Sequence, residues 1–285
     1  MTVLGAVEIG GTKTDLAVGT SPDDISEPHR VSTTAPEDTL GAIAEFFRSH
    51  DVGAVGVASF GPLDLDRKSS SFGKMLATPK PGWSGFDLYR ALRGGIGVPV
   101  SLDTDVNGAA LGEGRWGAAT GMMDYAYVTV GTGIGAGVVV DGRLISGSGH
   151  PEMGHIAVRR LDGDDYPGRC PYHRNCLEGM AAGPALEARF GSPESWAGND
   201  QVIDLVAHYL AQGLLALLYI AAPVRMIVGG GVSTLPGLHE RARYRLAELI
   251  AGYPEEPDLD LLVSRPGLGD LSGLLGGLVL ATRRT

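Results

Sequence analysis

The 285-residue chain holds two cysteines, Cys170 and Cys176, and they bracket His173 in a Cys-x2-His-x2-Cys cluster. His155 lies upstream, with fourteen residues between it and Cys170. Two thiolates and two imidazoles suit a tetrahedral zinc ion, and four protein ligands would close its coordination shell. Such an ion would be structural rather than hydrolytic. Two readings stay open at this point: His150 competes with His155 as the fourth ligand, and two free cysteines with scattered histidines are the bland alternative. Zinc would also explain what holds Ser148–Gly183, which is rich in His, Gly and Pro and shows no regular periodicity. A loop that long inside a compact domain is usually functional or tied down. Glu152 and Glu178 lie within or next to it. Their oxygens suit a ligand rich in hydroxyls if the loop lines a binding site, and are plain surface charges if it does not.

Three glycine-rich turns follow apolar runs. Gly10-Gly11-Thr12-Lys13 closes Val3–Ile9 and precedes a second strand-like run, Leu16–Gly19. A Walker A loop needs four residues between its glycine and Gly-Lys, and a following helix; neither is present. A hairpin tip whose N–H groups and Thr12 hydroxyl face a phosphate fits, as does a plain turn. Gly131-Thr132-Gly133-Ile134-Gly135-Ala136-Gly137 follows Tyr125–Val130 and leads into the β-branched run Ile134–Val140. A dinucleotide fingerprint must open a helix, so a second phosphate-facing hairpin fits better. Strand, Gly-and-Thr turn, strand thus occurs twice, about 120 residues apart, as in an internal duplication. Gly229-Gly230-Gly231-Val232-Ser233 ends the short strand Met226–Val228, where backbone can approach a flat ligand closely. Asp103-Thr104-Asp105-Val106-Asn107 lies where the Val98–Leu102 strand enters a helix, at the end of an α/β sheet where ligands bind. The helix N-terminus predicts that Asp105 stays charged at neutral pH and able to accept a hydroxyl proton. Asp103 or Asp105 as a simple N-cap is the competing reading.

The elements that position these groups alternate. Val3–Ile9, Leu16–Gly19, Ala54–Phe60 and Val98–Leu102 read as strands. Pro36–His50 reads as a helix, with Pro36 in its first turn and Leu40, Ile43 and Phe47 on one face. Asp141-Gly142 marks a hairpin before Arg143–Ile145. Val202–Ala222, Leu238–Ile250 and Asp270–Arg283 read as helices. The alternation predicts an α/β protein of two duplicated domains. Residues 1–115 form the first, joined by the C-terminal helix 270–285, and residues 116–269 the second. Hydrophobic residues at 44% and charged residues at 20% exclude disorder and coiled coil. Twenty-three basic against 33 acidic residues leave a net charge of −10, which disfavours nucleic acid and anionic membranes as partners. Gly213–Pro223 and Leu271–Ala281 are the longest apolar runs, short of the ~20 residues that span a bilayer. With no basic, cleavable leader at the start, the expectation is a cytoplasmic protein.

These stretches together resemble the ROK family of bacterial sugar kinases, and within it the zinc-containing fructokinase branch. The resemblance is carried in order by Glu8–Lys13, Thr78-Pro79-Lys80-Pro81-Gly82-Trp83, Asp103–Glu113, Gly131–Gly137, His150–His155, Cys170–Glu178 and Gly229–Ser233. It implies an actin-like ATPase (ribonuclease H-like) fold with a nucleotide cleft between two α/β domains. It implies ATP, Mg2+ and Zn2+, a hexose (fructose first) as small-molecule partner, and a homodimer. Residue by residue, it implies Asp105 as catalytic base. Gly10, Gly11, Thr12, Lys13, Thr132 and Gly133 would meet the phosphates. Pro184, Gly229, Gly230, Gly231, Val232 and Ser233 would line the nucleotide. Asn107, Glu152, His155 and Glu178 would meet the sugar, and His155, Cys170, His173 and Cys176 the zinc. Glu8 stands where many members have Asp, Thr104 where many have Asn, and His173 where the commoner cluster has a third cysteine. Kinases for glucose, mannose or N-acetylmannosamine in the same family are the alternatives. A sugar-responsive regulator or a non-catalytic binding protein is the alternative of another class; for a regulator, Glu8 leaves no room for a preceding helix-turn-helix.

Overall fold

The computed structural model describes residues 2–147, 149–253, 255 and 257–283. The chain divides into two compact units, one of Met1–Gly121, Ile145–His150 and Leu271–Thr285, the other of Met122–Leu144 and Pro151–Asp270.

In the first unit the chain runs β1 (Leu4–Ile9), β2 (Lys13–Gly19), β3 (His29–Ser32), α1 (Pro36–Arg48), β4 (Val55–Ser59), α2 (Leu88–Ile96), β5 (Val100–Thr104) and α3 (Asp105–Trp116). The sheet order is β3-β2-β1-β4-β5. β1 and β2 form an antiparallel hairpin, whereas β1, β4 and β5 are parallel, with Ile9 level with Ser59 and Ser59 level with Thr104. That register brings the ends of β1 and β5 to one edge, so Gly10 and Asp105 leave the sheet at the same end, with β4 between them. Val7, Ile9, Ile43, Val57 and Trp83 pack the core beneath. α2 escapes a periodicity reading because its last turn is Arg-Gly-Gly, a poor helix former. It forms because Asp87 accepts the Arg90 N–H, Leu88 and Leu92 are buried, and Gly97 ends it at φ 80°.

The second unit repeats the theme with β6 (Tyr125–Val130), β7 (Ile134–Val140) and β8 (Arg143–Leu144), followed by α4 (Leu177–Ala181), α5 (Gly183–Phe190), α6 (Asp200–Ala221), β9 (Arg225–Gly229), α7 (Leu238–Ile250), α8 (Leu259–Leu262) and β10 (Val263–Ser264). The sheet order is β10-β9-β6-β7-β8. β6 and β7 form the antiparallel hairpin and β9 lies parallel to β6, with Thr129 level with Gly229. Asp141 and Gly142 both take positive φ, the twist that a two-residue hairpin needs. The stretch expected to be irregular contains a short 3-10 helix, Met153–His155, as well as α4. α6, at 22 residues, is long and apolar enough to cross a membrane. It is longer than the apolar runs suggested, because buried Val202 to Leu210 extend the apolar face towards its start. Most of its apolar residues, Val206 and Leu214 among them, pack into the core of this unit.

The chain then returns to the first unit as α9 (Ser272–Ala281). The glycine excess has its clearest structural cause here. A Cβ on Gly276 would overlap the Gly108 carbonyl of α3, and one on Gly56 would overlap the Gly277 carbonyl. Backbone therefore meets backbone, and the start of α9 is pressed against the edge from which β1 and α3 emerge.

Candidate functional site

In the first unit, the tip between β1 and β2 is closed by the Gly10 N–H donating to the Lys13 carbonyl at 2.8 Å. The Lys80 ammonium donates to the carbonyls of Gly11 (2.7 Å) and Thr33 (2.9 Å). Buried Trp83 donates from Nε1 to the Thr34 carbonyl at 2.8 Å. The Thr78–Trp83 stretch therefore braces the hairpin. This role for Lys80 went unread from the sequence, although a lysine held between two prolines beside a tryptophan was a signal for it. Thr12 and Lys13 are exposed at the tip. Lys13 reaches Asp15 at 3.5 Å, and Arg30 holds the same carboxylate through two bonds. Burial would raise the Asp15 pKa, but these cations outweigh it and hold it low.

At the neighbouring strand end, Thr104 is the N-cap of α3, accepting the Asn107 N–H at 3.3 Å. Neither aspartate is the cap. Asp103 Oδ1 accepts from the Thr104 N–H (2.8 Å) and the Asn107 amide (2.6 Å), and Asn107 is buried, so its amide orders this turn. Asp105 is left with the Val106 N–H at 2.9 Å. Asp105 is mostly ionised at neutral pH, as expected, although the helix terminus does not hold its pKa low. Burial pushes it up to about 6, against the Val106 and Asp105 N–H groups that favour the charge. Glu8 is raised further, to about 7, first by burial and then by the charges of Asp105 and Asp15, while Lys13 and the Leu274 N–H oppose the rise. The Glu8 carboxylate sits at the start of α9, where only glycine at 273 leaves it room.

A carboxylate whose pKa is raised on folding binds its proton more tightly in the native state. Its contribution to stability is complete below the ordinary carboxylate range and is lost as pH rises through about 7 for Glu8. Glu8→Gln is therefore expected to raise the melting temperature by a few degrees at pH 8 and by much less at pH 4. Thermal scans at both values check this, and an equal or opposite change at pH 8 contradicts it.

In the second unit, the Gly131–Gly133 tip is closed by the Gly131 N–H donating to the Gly133 carbonyl at 2.9 Å. The Gly183 N–H donates to the Gly131 carbonyl at 2.7 Å, which places Pro184, in the first turn of α5, beside it. Thr132 is exposed. Gly230, at φ 88°, turns the chain from β9 into a short 3-10 helix, Gly231–Thr234. Val232 and Ser233 are buried there, and the Ser233 hydroxyl donates to the Gly230 carbonyl at 2.7 Å. A Cβ on Gly131 would lie 3.7 Å from the Gly231 nitrogen. The second hairpin and the triple-glycine turn thus bring backbone against backbone at Gly131 and Gly231.

The cysteine cluster is assembled in the same unit. His155 Nδ1 lies 3.6 Å from both Cys170 Sγ and Cys176 Sγ, and His173 Nδ1 lies 3.8 Å from Cys170 Sγ. All four ligand atoms fall within 4.8 Å of one another. A tetrahedral zinc with ordinary Zn–S and Zn–N bonds has ligand–ligand edges of about 3.4–3.8 Å, so the donor set and its spacing fit that ion. His150 is not a member of the group. Reciprocal backbone bonds between Cys170 and Arg174 form the knuckle that carries two of the ligands. The preceding loop is pinned by Asp164, which accepts two bonds from Arg189 and one from the Tyr209 hydroxyl at 2.5 Å. Glu152 is exposed immediately before the 3-10 helix that carries His155, and Glu178 lies in the first turn of α4.

The family model described as "ROK family" matches residues 4–284. A fructokinase from Zymomonas mobilis is 42% identical over 98% of this chain and 96% of its own. A fructokinase from Pediococcus pentosaceus is 40% identical over 98% and 97%. Among solved structures, a ROK family glucokinase from Streptomyces griseus, in complex with glucose and AMPPNP, superposes with a TM-score of 0.80 at 27% identity. That match covers 98% of this chain and 99% of the glucokinase.

Proposed function

Because the chain belongs to the ROK family, we propose that it is an ATP-dependent fructokinase, transferring the γ-phosphoryl group of ATP to the 6-hydroxyl of D-fructose. The observation that carries the mechanism is the state of Asp105. Thr104 caps the helix in its place, so the Asp105 carboxylate keeps acceptor capacity at the strand edge. A pKa of about 6 leaves it mostly ionised at neutral pH, yet basic enough to take a proton from a hydroxyl. Phosphoryl transfer passes through a loose transition state, so positioning and charge stabilisation dominate. Asp105 orients the sugar hydroxyl and accepts its proton as the oxygen attacks.

The N–H groups of Gly11, Thr12 and Lys13 and those of Thr132 and Gly133 are the phosphate donors, with the Thr132 hydroxyl as a side-chain contact; the Gly10 N–H, bonded to the Lys13 carbonyl, shapes the tip instead. Pro184 and Gly229–Ser233 line the nucleoside. Mg2+ brought by the triphosphate would supply the charge neutralisation that an acidic chain lacks, and Glu8, whose like-charged neighbour Asp105 favours a cation, would be the carboxylate to face it. Glu152, His155 and Glu178, with Asn107 ordering the acidic turn, make up the sugar side. His155, Cys170, His173 and Cys176 hold zinc, with Nδ1 of His155 toward the sulfurs and Nε2 left for a sugar hydroxyl. A homodimer in the cytoplasm belongs to the same proposal.

Two measurements follow. Rates of ADP release with fructose, glucose, mannose and N-acetylmannosamine as acceptors are expected to give the highest kcat/KM for fructose, and a preference for another hexose would overturn the substrate assignment. Lys80→Met leaves two braced carbonyls without their charged donor, and is expected to raise the KM for ATP about tenfold with the KM for sugar little changed. An unchanged KM for ATP would detach the brace from phosphate binding.

A further inference from the structure

We propose that the metal cluster sets the shape of the Gly131–Gly133 hairpin, and with it nucleotide affinity, by gripping Ile134, with Glu178 as the positioning residue. The inference rests on the readings that the cluster holds zinc and that the hairpin meets phosphate.

Ile134 is the first residue after the hairpin tip, and both of its backbone groups are engaged by segments that carry metal ligands. Its N–H donates to Glu178 Oε2 at 3.1 Å. Glu178 lies two residues beyond Cys176, which is the N-cap of α4. The Ile134 carbonyl is covered by Gly154, the residue before His155, and a Cβ at Gly154 would overlap it. Gly133 meets the same carboxylate: a Cβ there would lie 2.8 Å from Glu178 Oε2. The side chain thus seats directly on the hairpin. One path therefore runs from His155 through Gly154 to the Ile134 carbonyl, and the other from Cys176 through Glu178 to the Ile134 N–H. A metal ion joins His155 to Cys176 and closes the loop between the paths. The Leu177 N–H also donates to the Ile156 carbonyl at 3.1 Å, so losing the ion loosens the grip without abolishing it. Glu178 was expected to meet the sugar. Its bond to Ile134 uses one oxygen, which gives it a second task toward the nucleotide.

The test is calorimetric binding of ADP, without sugar and without turnover, to the zinc-loaded chain, to the same sample after chelation, and after zinc is returned. The expected result is about tenfold weaker binding on chelation, restored by zinc. In the loaded chain, Glu178→Ala is expected to show a similar loss and no further loss on chelation. Glu178→Gln, whose amide oxygen still accepts from Ile134, is expected to keep ADP affinity within about twofold of the parent. ADP affinity indifferent to metal in a chain that circular dichroism shows to be folded would overturn the coupling, as would parental affinity in loaded Glu178→Ala. Should the chelated chain unfold, the two Glu178 variants decide alone. A purified chain with no metal, or one that binds no ADP, overturns the underlying readings as well. Metal and ADP both bound, but independently, overturns the coupling only.

Discussion

Asp105→Asn is expected to lower kcat by about 10²–10⁴-fold while the melting temperature at pH 8 stays level or rises. Asparagine keeps an oxygen for the Val106 N–H, so the first turn of α3 is preserved. It cannot take a proton from the sugar hydroxyl, so the attacking oxygen loses its base. Stability moves the other way because Asp105 is a desolvated carboxylate whose pKa is raised to about 6, and an ionised group in that position costs stability at alkaline pH. The pair of readouts separates a catalytic role from a structural one. A residue that merely held the fold would lose both activity and melting temperature on substitution. Near-parental turnover would remove Asp105 from the chemistry altogether. In the parent chain, kcat/KM is expected to fall as pH drops through the 6–7 range in which Asp105 and Glu8 take up protons.

Cys176→Ser is expected to remove the bound zinc and to lower the melting temperature on the order of 10 °C. The four ligand atoms lie within 4.8 Å of one another, and three of the ligands fall in one seven-residue stretch, Cys170–Cys176. The fourth, His155, sits across the loop, so the ion joins two segments that are also paired through the Ala157–Cys176 bridge and the Leu177 N–H to Ile156 carbonyl bond. Because Glu152, His155 and Glu178 are carried on those segments, the KM for sugar is expected to rise in the same sample. Metal analysis and a thermal scan of parent and variant decide it. A parent chain without zinc, or a variant that retains a full equivalent, contradicts the assignment.

What was legible in the sequence was local. Glycine-rich tips, the Asp141-Gly142 hairpin and the cysteine knuckle are each written within a few neighbouring residues, and each appears where its spacing placed it. What stayed hidden depends on residues far apart in the chain. Lys80 braces Gly11 across 69 positions, and Glu178 reaches Ile134 across 44. The start of α9 meets Glu8 from the opposite end of the polypeptide. The raised pKa of Asp105 has the same origin. The helix-terminus argument is local and correct in sign, but burial by distant segments is the larger effect. Thr104 as the cap was similarly obscured by two aspartates of equal capping propensity on either side.

The stoichiometry of product formation tests the central claim most directly. With zinc-loaded chain, ATP, Mg2+ and fructose, ADP is expected to appear mole for mole with fructose 6-phosphate, and to be negligible when fructose is left out. ADP release that does not depend on a sugar, or no release with any hexose, would contradict phosphoryl transfer to a polyol at Asp105.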